Sequence, residues 1–290
     1  MSFQVTEAFV NQFKDGITVR AAQKESRVRS FFTIDSGITG TSVSRDYVGS
    51  RRPAQRTSRH GDTVLRDTPH DRRWVDIKVY DDADMIDDPD KVRTLTDPSN
   101  SYSKAMSEGF GRLIDEIALA GAIGTTRTGQ DGSTTSTGPT ATITEGGSVG
   151  MSLGKMTQVK RTFDAAEMMP DRCWAITAIQ IEDMLGLTEV TNVDYNTVRA
   201  LADGAINTFM GYKWIRVEDP IVGTNPADAT QRRTIAWTQD AVWIAFGSDV
   251  KASIDRRPDK NNSTQIFYSM DMGAARLEDR GVIWVDCDES

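Results

Sequence analysis

The densest group of residues that could do chemistry is the acidic stretch DDADMIDDPD, residues 81–90, which carries six aspartates. Hard cations such as Ca²⁺ and Mg²⁺ bind several carboxylates that lie close together, so this stretch is a candidate metal site for a hydrolase. However, it lacks the glycine and terminal glutamate of an EF-hand loop, and no phosphate-binding glycine motif accompanies it. A solvated acidic turn, or a surface that binds a partner's arginines, is the favoured interpretation.

The chain offers few nucleophiles or bases for catalysis. His60 and His70 are its only imidazoles, so any serine or cysteine triad would need one of them, and both lie in a segment poor in apolar residues. Cys173 and Cys287 are far apart and outside any metal-ligand spacing, which predicts two reduced cysteines packed as small hydrophobes. The sequence therefore predicts no enzyme, no cofactor and no metal centre.

The segment Arg45–Trp74 is the strongest concentration of positive charge, with eight arginines, two prolines and almost no apolar stripe. About 30 residues is too long for an ordinary connection, which indicates disorder or a functional excursion. As a nucleic-acid arm it would neutralise phosphates, but four aspartates interrupt it and only Tyr47 and Trp74 could stack on bases. As a docking loop it would pair with carboxylates of a neighbouring copy, and this second interpretation is favoured.

Bulk composition limits the classes of protein. The chain has 290 residues, 38% hydrophobic and 26% charged, with a net charge of -8. No apolar run approaches the roughly 20 residues of a membrane span, and no secretory signal is apparent, so we expect a chain that remains in the cytoplasm. Residues 1–79 carry 14 Lys and Arg against 9 Asp and Glu, whereas residues 80–131 carry 5 against 11. One end is therefore basic and the rest acidic.

Two patterns in the first half predict regular elements. Residues 74–80 alternate in polarity, which predicts a half-buried strand with Val75, Ile77 and Val79 on one face. From Ser99 to Gly124, apolar residues recur every three or four positions, which predicts one long helix of about 39 Å. A helix of that length suggests a spine for the fold.

The second half reads as short alternating elements after a loop or hairpin rich in Gly, Ser and Thr. A helical face is predicted through Leu153 and Phe163, then a strand in MPDRCWAIT and a helix in AIQIEDMLG. A helix over residues 194–209 should end at a left-handed Gly211, followed by a strand covered on both sides. Two strands around Thr238–Asp240 and three more near the C-terminus complete the pattern.

This order of elements resembles the major capsid proteins of tailed bacteriophages, which share the Hong Kong 97-type coat fold with encapsulin shells. The stretches SYSKAMSEGFGRLIDEIALAGAIGTTRTG, MMPDRCWAITAIQIEDMLG and TEVTNVDYNTVRALADGAINTFMGYKWIRVED carry the resemblance. It implies an α+β chain with a central mixed sheet flanked by helices in its axial domain. The implied segments are an N-terminal arm (1–44), an extended loop (45–74), a peripheral domain (75–130 and 241–290, with the spine helix 99–124) and an axial domain (131–240).

The resemblance implies a non-enzymatic subunit that assembles as hexamers and pentamers into an icosahedral head around double-stranded DNA. The expected location is the virion, after assembly in the host cytoplasm. Expected partners are a portal protein and a separate scaffolding protein, with decoration proteins as a further option; the DNA is bound non-specifically and no membrane is involved. An encapsulin-like compartment shell and, from another class, a metal-dependent hydrolase are the alternatives.

Contacts between subunits are predicted to join the arginines of the loop to the acidic stretch. The loop would reach over a neighbouring copy, where its charges would meet carboxylates. The predicted contact residues are Arg51, Arg52, Arg56, Arg59, Arg72, Arg73, Asp81, Asp82, Asp84, Asp87 and Asp88.

Overall fold

A computed structural model describes most of the chain. The described residues are 23, 25–49, 51–56, 58–59, 62–63, 65–87, 99–145, 149–168, 171–187, 208–226 and 228–289. Within them lie three α-helices, α1 (Ser99–Ile123), α2 (Leu153–Ala165) and α3 (Ala178–Gly186).

Fifteen strands are present in the same residues. They are β1 (Thr33–Ser36), β2 (Ser42–Val48), β3 (His70–Asp76), β4 (Lys78–Ile86), β5 (Thr125–Thr128), β6 (Thr134–Thr137), β7 (Ala141–Thr144), β8 (Arg172–Ile176), β9 (Thr208–Phe209), β10 (Tyr212–Arg216), β11 (Thr224–Asn225), β12 (Asp228–Thr238), β13 (Val242–Arg257), β14 (Ser263–Arg276) and β15 (Val282–Asp288).

The strands form three sheets. The large sheet has the order β7-β15-β12-β8-β10-β9, with β11 paired to β12. The spine sheet has the order β1-β13-β14-β4, and α1 lies against its strand β14. The loop sheet has the order β2-β3-β5-β6. The mixture of parallel and antiparallel pairs with flanking helices is the α+β architecture expected from the sequence.

Local sequence signals determine where the two shorter helices begin. Ser152 caps α2 by accepting a hydrogen bond from the Lys155 backbone N–H at 3.1 Å. Thr177 and Gln180 form a capping box at the start of α3, where the Thr177 N–H donates to Gln180 Oε1 at 3.0 Å. Both helices match the periodicity in the sequence.

The core has two main layers, one on each face of the large sheet. On one face, side chains of α2 and α3 pack against Trp174 and Trp214, whose rings stack 4.7 Å apart. On the other face, Ile215 and Val217 join a second cluster that includes α1 and the spine sheet. The prediction that the strand after Gly211 is covered on both sides is therefore confirmed.

The long helix matches its prediction, since α1 ends one residue before Gly124. Its contact with the spine sheet depends on Gly121. A Cβ atom added there would lie 2.6 Å from the backbone carbon of Ala274 in β14. Only glycine therefore allows this close approach of helix and strand.

The predicted strand over residues 74–80 is wrong in one respect. The strand is interrupted at Ile77, and the two parts, β3 and β4, belong to different sheets. Val75 is 1% exposed but Val79 is 69% exposed, so the alternation does not continue through the break. The break falls where Asp76 crosses Gly273 of β14, whose added Cβ would meet the Asp76 carbonyl oxygen.

The predicted helix over residues 194–209 falls largely outside the described residues. Phe209, at its end, lies in β9, and Gly211 has the predicted positive φ of 84°. It shares a two-residue hairpin turn with Met210, which has φ 54°, between the paired residues Phe209 and Tyr212. Two positive φ values in succession define a type I′ turn, so Gly211 turns a hairpin here.

Strand pairing also departs from the predicted grouping of segments. The predicted peripheral segment 241–290 includes β15, but β15 pairs with β12 and β7 in the large sheet. The predicted axial segment 131–240 includes β6, which pairs with β5 in the loop sheet. The polar turn at Thr238–Asp240 is present as predicted, but it carries the chain from the large sheet to the spine sheet.

Candidate subunit interface

The basic segment forms a stalk that carries a loop. Strands β2 and β3 pair antiparallel from Ser42 opposite Asp76 to Val48 opposite His70, and Gly49 N–H donates to the Pro69 carbonyl at 2.8 Å. Beyond this point, the described residues between 51 and 69 form no strand or helix and are almost all exposed. The loop therefore has no core of its own and stands on a paired two-stranded base.

A buried ionic cluster attaches the base of the stalk to the rest of the chain. Arg73, in β3, is 4% exposed. Its Nη2 lies 3.0 Å from Asp279 Oδ2. Arg276 is fully buried and its Nε lies 2.6 Å from Asp279 Oδ1. Ser136 Oγ donates to the same carboxylate at 2.8 Å. Asp279 thus joins the stalk, the β5–β6 hairpin and the end of β14.

Arg276 extends this cluster to the C-terminus of α1. Its Nη1 donates to the carbonyl oxygens of Ala122 at 2.8 Å and Gly124 at 3.0 Å. The last carbonyls of a helix lack intrahelical partners and carry partial negative charge, so a guanidinium there satisfies both needs. One buried arginine therefore fixes the spine helix relative to the loop sheet.

Trp74 and its neighbours fix the other side of the stalk. The Trp74 indole N–H donates to the Gly129 carbonyl at 2.9 Å. Arg72 and Arg127 each lie 5.9 Å from the Trp74 ring centre, within cation–π range. Arg127 also pairs with Asp76 at 2.6 Å. These contacts hold β3 against β5.

Two of the predicted contact arginines are already used within the chain. Arg73 is buried with Asp279, and Arg72 pairs with Asp46 across the stalk, Nη2 to Oδ2 at 2.9 Å. The hydrogen bond from Arg72 lowers the pKa of the Asp46 carboxyl below its usual value. Arg72 and Arg73 therefore stabilise the stalk, and contact of either with a neighbouring copy stays a prediction.

Arg51 and Arg56 shape the loop itself. Arg51 donates to the Arg66 carbonyl at 2.8 Å and to Thr68 Oγ1 at 3.0 Å, which ties the two arms of the loop together. Arg56 donates to the carbonyl oxygens of Ser58, at 2.7 Å, and of Arg59. Their exposed faces can still meet a partner, but their hydrogen bonds are first a property of the loop.

Among the described arginines of the loop, Arg52, Arg59 and Arg66 remain exposed. Among the described residues, none of the three forms an ion pair. His70 begins β3 and is exposed, whereas His60 lies outside the described residues.

Three of the acidic residues lie on a strand and not in the predicted turn. Asp81, Asp82 and Asp84 are exposed in β4, which is the last strand of the spine sheet. Asp87 follows β4 and accepts a hydrogen bond from Ser263 Oγ, and Asp88 lies outside the described residues. Within the described part of the chain, no group of three His, Cys, Asp or Glu could hold a metal ion.

An N-terminal segment is held by a buried carboxylate that the sequence did not single out. Asp115, in α1, is fully buried and accepts hydrogen bonds from Gln23 Nε2 and Ser26 Oγ, each at 2.5 Å, and from the Arg27 N–H. Phe32, further along, stacks on Trp237 at 5.0 Å. The periodicity gave no signal for it, because Asp115 lies on the side of the helix opposite the predicted apolar face through Phe110, Leu113 and Ile117.

These features define a coat-type subunit: a two-layered body, a spine helix and a stalked loop without a core. No helix in the described residues is both long and apolar enough to cross a bilayer. The model of the phage capsid protein family matches residues 5–289, and this chain belongs to that family. It is therefore a bacteriophage capsid protein and a structural component of the virion, with the Hong Kong 97-type coat fold.

Solved capsids with the same fold cover nearly the whole chain. The capsid structure of cyanophage P-SCSP1u is 17% identical, with a TM-score of 0.70 over 99% of this chain and 95% of that chain. The cyanophage Pam1 capsid is 14% identical, with a TM-score of 0.70 over 99% and 98%. The acid-stable capsid of the Helicobacter pylori bacteriophage KHP30 is 9% identical, with a TM-score of 0.74 over 100% and 98%.

No curated protein sequence matches this chain. The family and the structural similarities support neither the encapsulin-like compartment nor the metal-dependent hydrolase.

Proposed function

We propose that this capsid protein is the major subunit of the icosahedral head of a tailed double-stranded DNA phage, built from hexamers and pentamers. The observation that carries the proposal is the extended loop, which has no core and stands on a stalk anchored by Asp279. A surface that one copy cannot bury is suited to burial against another copy. Assembly would take place in the host cytoplasm, with a portal protein and a separate scaffolding protein as partners.

Charge favours contact between the loop and the spine sheet of a neighbour. Arg52, Arg59 and Arg66 are exposed on the loop, and Asp81, Asp82 and Asp84 are exposed on β4. An exposed ion pair contributes only about 0–1 kcal/mol, but a closed shell repeats each contact many times. The net charge of -8 also keeps packaged DNA from binding tightly to the shell wall, which suits non-specific enclosure of the genome.

The test is particle formation by a triple charge reversal, Arg52→Glu, Arg59→Glu and Arg66→Glu. Negative-stain microscopy and size exclusion should show particles for the unaltered chain and a folded, unassembled subunit for the triple variant. The matched control replaces the same three arginines with lysine, which keeps the charge and should still assemble. A second reversal, Asp81→Lys, Asp82→Lys and Asp84→Lys, should restore assembly of the triple variant.

Normal particles from the triple glutamate variant would reject the charge contact. An unaltered chain that remained a stable 32.0 kDa species under all assembly conditions, including those with its scaffolding protein, would reject the shell function itself.

A further inference from the structure

Buried hydrogen-bond donors without acceptors gather where the loop sheet meets the spine sheet. Of the eight buried side-chain polar atoms that have no hydrogen-bond partner in the described part of the chain, five lie at this junction. They are Arg45 Nη1, Arg73 Nε and Nη1, Thr126 Oγ1 and Trp243 Nε1. Because folded proteins pair nearly all their buried polar groups, such a concentration indicates a ligand or ordered water between the two sheets.

Strand register places the donors of the loop sheet on one face. Arg45 in β2 lies opposite Arg73 in β3, and Arg73 lies opposite Thr128 in β5. Thr126 is two positions from Thr128 in the same strand, so the two threonines share a face. From the spine sheet, the ring centre of Trp243 lies 5.9 Å from the Arg45 guanidinium carbon. Donors of both sheets therefore face one junction.

The charge buried at this junction is positive. Arg73 is 4% exposed and Arg276 is fully buried, and both pair with the single carboxylate of Asp279, at 3.0 Å and 2.6 Å. One negative charge therefore faces two buried positive charges. A buried charge without a partner is costly, so a bound anion would stabilise the fold here.

Two further carboxylates face the junction without neutralising it. Asp71 lies 4.0 Å from Arg73 Nη2 and Asp35 lies 3.8 Å from Arg45 Nη1, both beyond hydrogen-bond distance. Their side chains are 41% and 47% exposed, so solvent screens their charge. The Arg45 side chain is 42% exposed, which leaves a path for a small ion from solvent.

The chemistry of the unpaired atoms favours an anion over a water molecule. Guanidinium and indole N–H groups can only donate, and among these atoms only the Thr126 hydroxyl can also accept. A water molecule must donate hydrogen bonds as well as accept them, and it carries no charge to offset the arginines. A halide ion accepts from every side and supplies the negative charge.

We propose that the junction of the loop sheet and the spine sheet binds an inorganic anion of the size of chloride between Arg45 and Arg73. The Trp243 indole N–H and the Thr126 hydroxyl complete its donors. The ion offsets the second buried arginine beside Asp279, and it thereby stabilises the stalk on which the extended loop stands.

Urea unfolding of the full-length, unassembled subunit tests the site, with sodium gluconate exchanged for sodium chloride at constant ionic strength. Gluconate is too large for a buried site, so only chloride should stabilise the folded state. A ligand that binds only the folded state raises the folding equilibrium constant in proportion to 1 + [L]/Kd. Between about 5 mM and about 200 mM chloride, we expect a rise of about fivefold.

Two substitutions should change this chloride dependence in opposite directions. Arg73→Gln removes the uncompensated charge and should abolish the rise. Asp279→Asn removes the carboxylate that competes with the ion, so the rise should become at least about twofold larger. Arg45→Gln should weaken the rise, and it provides the test if Arg73→Gln does not fold, because the Arg45 side chain is partly exposed.

The matched control is Arg29→Gln, which breaks the partly exposed pair with Asp249 and should keep the full fivefold rise. Identical unfolding in chloride and gluconate would overturn the anion site and indicate ordered water at the junction. An equal rise in all four variants would show a general salt effect and would also overturn it. A rise that is lost in Arg73→Gln, larger in Asp279→Asn and unchanged in Arg29→Gln would support the site.

Discussion

Arg276 and Asp279 form a buried ion pair, with Nε and Oδ1 2.6 Å apart, at the point where the spine helix, the loop sheet and the turn into the large sheet meet. Asp279 also accepts from Arg73, so one carboxylate balances two guanidinium groups that are almost completely removed from solvent. The pair therefore joins the end of α1 to the stalk of the extended loop.

Replacing Asp279 with asparagine should destabilise the subunit by about 3 kcal/mol, because the two buried arginines lose their compensating charge. Urea unfolding of the unassembled subunit measures this. The control is Asp249→Asn, which breaks the partly exposed pair with Arg29 and should cost about 0–1 kcal/mol. Equal losses in the two variants would contradict the role assigned to Asp279.

The same carboxylate should contribute to the acid stability of the subunit. Burial raises the pKa of Asp279, but hydrogen bonds from Arg276 and Ser136 and the charge of Arg73 outweigh burial, so the pKa lies below its usual value. A lowered folded-state pKa stabilises the protein above the unfolded pKa of about 3.9, and this stability is lost as the pH falls through the folded pKa. Between about pH 5 and pH 2, the free energy of unfolding should therefore fall less steeply with decreasing pH in Asp279→Asn than in the unaltered subunit.

Gly121→Ala should destabilise the subunit although alanine favours helices by about 1 kcal/mol over glycine. The added methyl group would lie 2.6 Å from the backbone of Ala274 and push α1 away from β14. Gly109 is the matched control in the same helix, where an added Cβ meets nothing closer than 3.9 Å. Gly109→Ala should stabilise by about 0.5–1 kcal/mol in thermal or urea unfolding, opposite in sign to Gly121→Ala.

The β9–β10 turn should be improved by Met210→Asn. Met210 and Gly211 both have positive φ, and Asn-Gly is the preferred pair for this turn type. We expect a gain of about 0.5 kcal/mol in unfolding free energy, with Met210→Leu as the neutral control. Gly211→Val should cost about 1–2 kcal/mol, because space is open around Gly211 but its φ of 84° strains a β-branched residue.

Both cysteines should resist alkylation in the folded subunit. Burial raises the pKa of the Cys173 and Cys287 thiols to about 12, despite the nearby charges of Lys213 and Lys155. At pH 8 a thiol of that pKa is ionised on the order of one part in ten thousand, so iodoacetamide should label neither until urea unfolds the chain. Mass spectrometry measures the labelling. If the folded protein reacted as fast as a free thiol, this prediction would be contradicted.

Several features follow from local sequence. The apolar repeat from Ser99 determined α1 within one residue, and the capping residues Ser152 and Thr177 determined where α2 and α3 begin. The absence of apolar periodicity around the loop arginines indicated a segment without a core. Each of these depends on residues a few positions apart, whose spacing the sequence displays directly.

Contacts between residues that are far apart in the sequence determined the other features of the fold. Only the folded chain places β15 in the large sheet, exposes Val79 and buries Arg73 against Asp279, 206 residues away. Periodicity shows that a strand has an apolar face but not which sheet it joins, and an arginine in a basic loop looks like its neighbours until a distant carboxylate packs on it. The sequence by itself determined the kind of elements and the class of protein, and tertiary packing determined which charges pair within the subunit and which remain exposed.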